Sequence, residues 1–339
     1  MSEIRLHNVT KRFGDIVAVN DVSIDVNEGE FVVLLGPSGA GKTTTLRLIA
    51  GLERPDEGEI FIDGEAATDM HPADRDVAFI FQQYSLYPHL TVFGNLAFPL
   101  RSPRRRSSEA EVSARVRSVA QMLHIESKLA NMATHLSGGE MQRVAIGRAL
   151  VREPKVFLMD EPLSSLDAKL REELRIELKR LHRSIGATII YVTHDQVEAT
   201  TLADRIGILE HGRIVQMGTP REVYGNPASL SAAQRLGSPP INLLPPALFD
   251  RAAMPAGTST VAIRPEDIVL HGADARDALN LRVLEYSPLR HLLILDREGT
   301  AIVATTMTER NFTPGQTVGV SLPPRSLLYF RSDGRRIPA

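Results

Sequence analysis

The feature that most constrains the fold is a buried-strand pattern that runs directly into a glycine-rich loop and a helix. Residues 31–35 are consecutive apolar residues, a pattern typical of a strand buried on both faces of a parallel sheet. The run stops at Gly36, and residues 43–50 read as a helix that ends at Gly51. A strand, a tight loop and a helix in this order predict one unit of an α/β fold.

The loop between these elements predicts a phosphate site, and we call it the phosphate loop. Its residues are Gly36, Pro37, Ser38, Gly39, Ala40, Gly41, Lys42 and Thr43, and Thr44 follows them. Glycines let the backbone curl until successive N–H groups point at an anion, and the helix adds the positive end of its dipole. Lys42 is expected to reach the β- and γ-phosphates, and the Thr43 hydroxyl to bind Mg²⁺. A chance match in a glycine-rich turn is the alternative, and the flanking strand and helix argue against it.

The buried-strand pattern recurs at residues 156–159 and 188–192. One face of the helix predicted between them carries Leu170, Leu174, Leu178, Leu181 and Ile185. Alternating strands and helices predict a doubly wound α/β core. Asp160 ends the first of these strands, which puts a carboxylate beside the phosphate loop, where it can hold Mg²⁺ directly or through water.

The stretch from about residue 86 to residue 150 has a different pattern. Residues 109–123 and 141–150 read as helices, and no strong strand signal separates them. This predicts a helical insertion in the α/β core. Residues 102–108 include three consecutive arginines and are most simply a solvated loop, with a phosphate- or lipid-binding patch as the alternative.

The composition changes near residue 237, where Gly and Pro interrupt the chain. Short β-prone runs follow at residues 260–263, 279–283, 292–295, 301–305 and 318–322. Their spacing predicts a small barrel or sandwich. We therefore predict two domains, 1–236 and 237–339.

Composition excludes several functions. The chain has no cysteine, which removes disulfides, thiolate catalysis and thiolate-ligated zinc. A net charge of −2 gives no global field for nucleic acid or anionic lipid. The first residues lack the apolar core of a signal peptide, and no apolar run is long enough to span a bilayer, so we expect the chain to stay in the cytosol.

Two further motifs narrow the function. Residues 136–140 read Leu-Ser-Gly-Gly-Glu, residues 159–162 read Met-Asp-Glu-Pro, and His194 ends a predicted strand. Together with the phosphate loop, a P-loop, they make the chain resemble the ATPase subunit of an ATP-binding-cassette (ABC) transporter. The resemblance implies an α/β P-loop NTPase core with a helical ABC subdomain, followed by a small all-β OB-type (TOBE- or MOP-like) domain. It also implies ATP and Mg²⁺ as the bound groups.

The resemblance assigns roles to single residues. Glu161 matches the general base that polarises the attacking water, and His194 matches the switch histidine at the γ-phosphate. Gln82 matches the glutamine that touches Mg²⁺ or the lytic water, although Gln83 is a near-equivalent neighbour. Phe13 matches the aromatic residue that stacks on adenine, with a core or surface phenylalanine near a turn as the alternative. The implied metal ligands are Thr43, Gln82 and Asp160.

A second set of residues is implied to act on nucleotide held by the opposite subunit. This signature segment consists of Ser137, Gly138, Gly139 and Glu140. Its backbone N–H groups, a hydroxyl and a helix dipole suit an anion without side-chain charge. ATP would then join two ATPase subunits face to face, and Asp167 matches the loop that couples the two sites. The partner subunit is a second copy or a paralogue.

Longer stretches resemble the maltose-type branch of importer ATPases, which serves sugars, polyols and sn-glycerol 3-phosphate. These are residues 74–78, 87–92, 163–170, 193–199, 237–239 and 262–266. The branch implies two transmembrane permease subunits, a periplasmic or lipid-anchored solute-binding protein and a place at the cytoplasmic face of the inner membrane. Residues 82–100 would help to form the groove that receives a cytoplasmic helix of each permease.

Several alternatives stay open at this stage. The same machine could serve sulfate, ferric iron, polyamine or molybdate. A soluble ABC ATPase without a transport role usually carries two cassettes or a long coiled-coil insertion, and neither is present. A nucleic-acid-binding tail lacks the aromatic and basic residues that stacking on bases needs, so no nucleic-acid partner is expected. A small-molecule P-loop kinase would leave the signature segment and His194 without purpose.

Glu140 departs from the family pattern, in which glutamine is common. Ser137 and Glu140 satisfy the capping-box spacing, in which either residue serves, although an added anion near a nucleotide should slightly weaken dimer closure. Glu140→Gln is therefore expected to leave ATPase activity unchanged or to raise it modestly. Steady-state ATPase assays measure this, and a loss of about tenfold or more, equivalent to 1.4 kcal/mol, would defeat the capping explanation.

Overall fold

A computed structural model gives the structure of most of the chain. It describes residues 3–102, 107–249, 254–272, 278–306 and 311–338. The three arginines of the predicted solvated loop lie outside the described residues. The chain divides into two compact units, Met1–Pro220 and Arg221–Ala339. The domain boundary predicted after residue 236 stays a prediction.

The strands up to residue 220 include all those that surround the predicted site. They are β1 Ile4–Phe13, β2 Ile16–Val26, β3 Phe31–Leu35, β4 Glu57–Ile62, β5 Glu65–Ala66, β6 Val77–Ile80, β7 Val156–Asp160, β8 Thr188–Thr193, β9 Arg205–Glu210 and β10 Arg213–Gly218. The helices of the chain are α1 Lys42–Ala50, α2 Val92–Ala97, α3 Glu109–Met122, α4 Gly138–Leu150, α5 Ala168–Ile185, α6 Gln196–Leu202, α7 Pro220–Gly225 and α8 Leu230–Arg235. None of them, within the described ranges, is long and apolar enough to cross a lipid bilayer.

The central sheet of the first unit has the order β10-β9-β3-β8-β7-β6. Strands β9, β3, β8, β7 and β6 are parallel, and β10 is antiparallel to β9. Leu35 pairs with Thr193, and Asp160 pairs with Val192. This register places the carboxyl ends of β3, β8 and β7 side by side, which is where an open α/β sheet binds ligands.

An antiparallel sheet of order β2-β1-β4-β5 completes the first unit. One apolar core joins it to the parallel sheet and to α1. Its buried members include Ile4, Leu6, Val32, Leu46, Ile49, Ile60, Leu158 and Val192. Because α1 is packed in this core, the loop before it is held in a fixed place.

Arg75 holds the other end of α1. Its side chain is 3% exposed and donates hydrogen bonds to the carbonyl oxygens of Leu48 and Ile49, each at 2.8 Å. It also donates to the carbonyl oxygens of Met70 at 3.0 Å and Thr68 at 3.1 Å. The last carbonyls of a helix lack partners in the helix, so a cation there satisfies them and meets the negative end of the dipole.

Helices α2, α3 and α4 lie within the predicted helical insertion. Helix α4 begins at Gly138, three residues before the predicted start, because Ser137 caps it. Helix α3 ends one residue earlier than predicted. The extent of the insertion as a subdomain stays a prediction.

The second unit contains the β-rich tail. Its strands are β11 Asn242–Leu244, β12 Thr260–Ile263, β13 Val269–His271, β14 Leu279–Ser287, β15 Leu292–Arg297, β16 Thr300–Thr305, β17 Thr317–Ser321, β18 Leu328–Phe330 and β19 Arg336–Ile337. They form antiparallel sheets of order β11-β12-β18-β19 and β13-β17-β14-β15-β16. Asn242 links the sheets, since its side chain donates to the Val303 carbonyl at 2.8 Å and accepts the Val303 N–H at 2.7 Å.

Arg75→Gln is expected to lower the free energy of unfolding by about 2–4 kcal/mol, because buried carbonyls lose a charged donor. Arg54→Gln is the matched control. The Arg54 side chain is 77% exposed and pairs with Asp69 at 2.6 Å, so its loss should change stability by less than about 1 kcal/mol. Denaturant titrations followed by circular dichroism compare the two variants, and equal losses would contradict this role of Arg75.

Candidate functional site

The phosphate loop connects β3 to α1, and its glycines differ in the space around them. Gly41 has φ 101°, and a Cβ there would lie 2.3 Å from the Ala18 carbonyl oxygen on β2. Gly39 has φ 77°, but a Cβ there would meet nothing within 4 Å. The positive φ angle favours glycine at both positions, and the close approach of backbone to backbone excludes a side chain at Gly41 but not at Gly39.

Lys42 begins α1, and its side chain is 6% exposed. The ammonium donates hydrogen bonds to the carbonyl oxygens of Gly36 at 2.9 Å and Pro37 at 3.0 Å. It also lies 3.4 Å from Oε1 of Glu161. A buried ammonium needs such partners, and these hold the lysine in the loop that its charge is predicted to serve.

Thr43 and Asp160 meet at the predicted metal position. The Thr43 hydroxyl donates to Oδ1 of Asp160 at 2.9 Å. Burial raises the pKa of Asp160, because desolvation disfavours its charged form, and the Thr43 hydroxyl opposes this. A cation would offset that desolvation. A hydroxyl and a carboxylate in contact are the hard oxygen donors that Mg²⁺ prefers, so these residues fit the metal.

Glu161 and His194 come together at the ends of β7 and β8. His194 Nδ1 lies 2.9 Å from Oε2 of Glu161. Glu161 has φ 43°, an uncommon backbone conformation for a side-chain-bearing residue, and its N–H donates to the Val192 carbonyl at 3.1 Å. The carboxylate therefore lies between Lys42 and His194, the groups that the family resemblance assigns to the γ-phosphate.

Gln82 joins this cluster through a serine. Its Nε2 donates to the Ser164 hydroxyl at 3.3 Å, and that hydroxyl donates to the Glu161 carbonyl oxygen at 2.8 Å. Its predicted contact with Mg²⁺ stays a prediction.

A buried glutamate, to which no sequence motif assigns a role, holds the turn that carries His194. Glu198 is 2% exposed and accepts hydrogen bonds from Tyr191 at 2.8 Å and Thr193 at 2.7 Å. The Thr193 hydroxyl in turn accepts the Asp195 N–H at 3.0 Å. Burial raises the pKa of Glu198, and these two hydroxyl donors oppose the shift. The network fixes the backbone on both sides of His194.

A groove of about 460 Å³ opens over the phosphate loop. The lining residues are Ile16, Val17, Ala18, Gly39, Ala40, Gly41, Lys42, Thr43, Thr44 and His211. Phe13 pairs with Ile16 across the turn between β1 and β2, and 45% of its side chain is exposed. The Lys11 ammonium lies 5.3 Å from the Phe13 ring. The exposed Phe13 ring next to this groove suits stacking on a nucleotide base. Ile16 and His211 also line the groove, and no sequence motif indicated them.

The signature segment forms the start of α4. The Ser137 hydroxyl accepts the Glu140 N–H at 3.4 Å, and Oε2 of Glu140 accepts the Ser137 N–H at 2.9 Å. The predicted capping box is therefore present. A Cβ at Gly139 would lie 2.8 Å from Leu170. Asp167 caps α5, where its carboxylate accepts the Leu170 N–H at 3.0 Å, so its loop adjoins the signature segment.

Lys128 is a further neighbour of this segment that no sequence pattern indicated. It ends a short 3₁₀ turn, Glu126–Lys128, and its ammonium lies 3.0 Å from Oε1 of Glu140. Lys128 therefore pairs with Glu140, the residue at which this chain departs from the common motif.

Gly39 and Gly41 of the phosphate loop give a prediction on stability. Gly41→Ala combines a positive φ angle with a backbone clash, so we expect the free energy of unfolding to fall by about 3 kcal/mol or more. Gly39→Ala is the matched control, because it adds only the φ strain, about 1 kcal/mol. Denaturant titration measures both, and a loss for Gly39→Ala as large as for Gly41→Ala would contradict the packing argument.

Comparison with known proteins agrees with this geometry. The family model described as ABC transporter matches residues 19–164, and the TOBE domain model matches residues 261–330. The first range holds the phosphate loop, Asp160 and Glu161. The second falls within the β-rich tail and confirms the predicted kind of C-terminal domain.

Individual relatives match most of the chain. The trehalose/maltose import ATP-binding protein MalK of Thermococcus litoralis is 49% identical, over 80% of this chain and 74% of that protein. The sn-glycerol-3-phosphate import ATP-binding protein UgpC 3 of Agrobacterium fabrum is 43% identical, over 97% of this chain and 93% of that protein.

Solved structures show the same fold. A dimeric bacterial ABC transporter cassette is 38% identical with a TM-score of 0.58, over 64% of this chain and 99% of that one. A dimeric ATP-binding cassette in a post-hydrolysis state with ADP and Pi is 37% identical with the same TM-score, over the same shares. These neighbours confirm the predicted fold class. The chain belongs to the ABC transporter family of ATP-binding proteins.

Proposed function

We propose that this chain is the ATP-hydrolysing subunit of an ABC importer and drives solute uptake through partner permeases. The observation that carries the proposal is the cluster of Lys42, Thr43, Asp160, Glu161 and His194 at one edge of the parallel sheet. It combines a predicted phosphate cradle, a predicted metal position and a candidate base, with Thr43 in contact with Asp160 and Glu161 in contact with both Lys42 and His194. Relatives named as import ATP-binding proteins support the same conclusion.

ATP would bind over the phosphate loop, with its adenine ring beside Phe13. The loop N–H groups and the positive end of α1 bind the phosphates. Lys42 then exchanges its contacts with the loop carbonyls and with Glu161 for phosphate oxygens. Mg²⁺ would be held by Thr43, Asp160 and Gln82. When bound, it supplies positive charge that offsets the negative charge of the phosphate oxygens.

Glu161 acts as the general base for hydrolysis. The water oxygen forms a bond to the γ-phosphorus, the bond from that phosphorus to ADP breaks, and the carboxylate accepts the proton of the water. His194 orients Glu161 and contacts the γ-phosphate. The buried Glu198 network supports this step by fixing the backbone that carries His194.

The catalytic unit is a pair of ATPase subunits, two copies or one copy and a paralogue. The signature segment of one subunit would contact the γ-phosphate held by the other, where the N-terminus of α4 offers unpaired N–H groups. Asp167, in the adjoining loop, would couple the two sites. Dimeric cassettes among the related structures support this arrangement.

The permease surface would lie along residues 82–100. Phe98 in this range is 51% exposed, and Phe81 directly before the range is 37% exposed. Phe98 packs against Tyr87 with ring centroids 4.4 Å apart. Gln82, beside Phe81, reaches Glu161 through Ser164, so a docked permease helix could influence the base. The subunit would lie at the cytoplasmic face of the membrane, and a periplasmic or lipid-anchored protein would deliver the solute.

The solute is a sugar, a polyol or a glycerol phosphate. Relatives named for trehalose and maltose and for sn-glycerol 3-phosphate support this class. They do not favour the alternative of sulfate, ferric iron, polyamine or molybdate. Uptake of labelled solutes by proteoliposomes with the partner permeases would identify the substrate.

Glu161→Gln is expected to trap an ATP-bound dimer, because the amide cannot accept the proton of water. ATPase activity should fall by about 100-fold or more. Light scattering after size exclusion with ATP and Mg²⁺ measures the dimer, and ADP is the control that should leave monomer.

Ser137→Arg in the same background tests the signature segment, since the bulky cation should prevent the dimer. If Glu161→Gln stayed monomeric with ATP and Mg²⁺, the mechanism of two subunits would be wrong. Full ATPase activity of the single Ser137→Arg variant would overturn it as well.

A further inference from the structure

Glu140 places a negative charge in a segment that is proposed to bind a phosphate. Two groups of the folded chain hold its carboxylate. Oε2 accepts the Ser137 N–H at 2.9 Å, and Oε1 lies 3.0 Å from the Lys128 ammonium. The carboxylate is therefore turned toward its own capping position and toward a cation.

The charge on Glu140 is permanent at neutral pH. The hydrogen bond from the Ser137 N–H and the contact with Lys128 lower the pKa of this carboxyl. A carboxylate without a nearby cation would repel the γ-phosphate of the nucleotide that the partner subunit binds. The side chains are 26% exposed for Glu140 and 40% for Lys128, so water screens the pair only in part.

We propose that Lys128 is a positioning residue for the signature segment: it holds Glu140 in its capping geometry and cancels its charge beside the γ-phosphate. This inference rests on the proposed function, because it needs the segment to face nucleotide of the opposite subunit. It explains how glutamate works at a position where the family commonly has neutral glutamine. Lysine at position 128 and glutamate at position 140 form one functional unit.

The lysine is well placed for a test, since its backbone is held independently of its side chain. The Lys128 N–H donates to the Ile125 carbonyl at 3.0 Å, and the Lys128 carbonyl accepts the Asn131 N–H at 2.8 Å. Replacing the side chain should therefore leave the turn intact. Circular dichroism and thermal midpoints check that the variants are folded.

The experiment measures ATP-dependent dimerisation of the full chain in the Glu161→Gln background. Lys128→Gln should raise the protein concentration needed for half dimer by about fivefold, because each interface gains an unpaired anion. Lys128→Arg should stay within about twofold of the reference, since it keeps the charge. Added salt should shrink the effect of Lys128→Gln.

The decisive comparison adds Glu140→Gln. In that background Lys128→Gln should change dimerisation by less than about twofold, because no anion remains to be cancelled. Lys155→Gln is the matched control: Lys155 precedes the amino end of β7, away from the site, and pairs with Asp63 at 2.8 Å. It should leave the dimer unchanged.

Two results would overturn the inference while the proposed function stands. One is a reference variant that dimerises with ATP while Lys128→Gln does so equally well. The other is a loss of the same size with and without Glu140→Gln, which would show that the lysine acts only through structure. If the reference variant itself stays monomeric with ATP and Mg²⁺, the proposed function fails and the inference falls with it.

Discussion

The register of the parallel sheet is the constraint on which the site depends. Strand β3 pairs with β8, and β8 with β7, so Leu35, Thr193 and Asp160 end at one edge. A loop that binds phosphate through its backbone N–H groups has no side chain that could adjust to the ligand. The flanking strand and helix therefore set the positions of these N–H groups. The core packing of α1 and the contacts of Arg75 with its last carbonyls supply that rigidity.

Charges within the single chain are already matched to one another. Lys42 contacts two loop carbonyls and Glu161, and Glu161 also contacts His194. ATP must therefore exchange contacts rather than fill unsatisfied ones, and its binding would free the Glu161 carboxylate to face water. Such an exchange would link nucleotide binding to the activation of Glu161, since the group that Lys42 releases is the one proposed to accept a proton.

The amino-acid sequence predicted the structure correctly where a strand or helix leaves a regular hydrophobic pattern. Residues 31–35 form β3 as predicted, because a strand buried on both faces leaves an unbroken apolar run. The antiparallel strand β1 gave no prediction, since register shifts after Leu6 and Val9 break its alternation. The motifs located the phosphate loop, Asp160 and Glu161. They did not indicate Glu198, whose role depends on hydroxyl groups that come close only in the folded chain.

Glu140 shows why a motif cannot be judged one position at a time. The capping function of this position depends on an oxygen that accepts the Ser137 N–H, and both glutamate and glutamine provide one. The charge is a separate matter, and its counterpart lies in a turn twelve residues earlier, where no motif is recognised. A substitution that looks unfavourable in the signature segment is thus compatible with an anion site once the neighbouring cation is counted. Local rules set the geometry of the helix start, and tertiary contacts set its electrostatics.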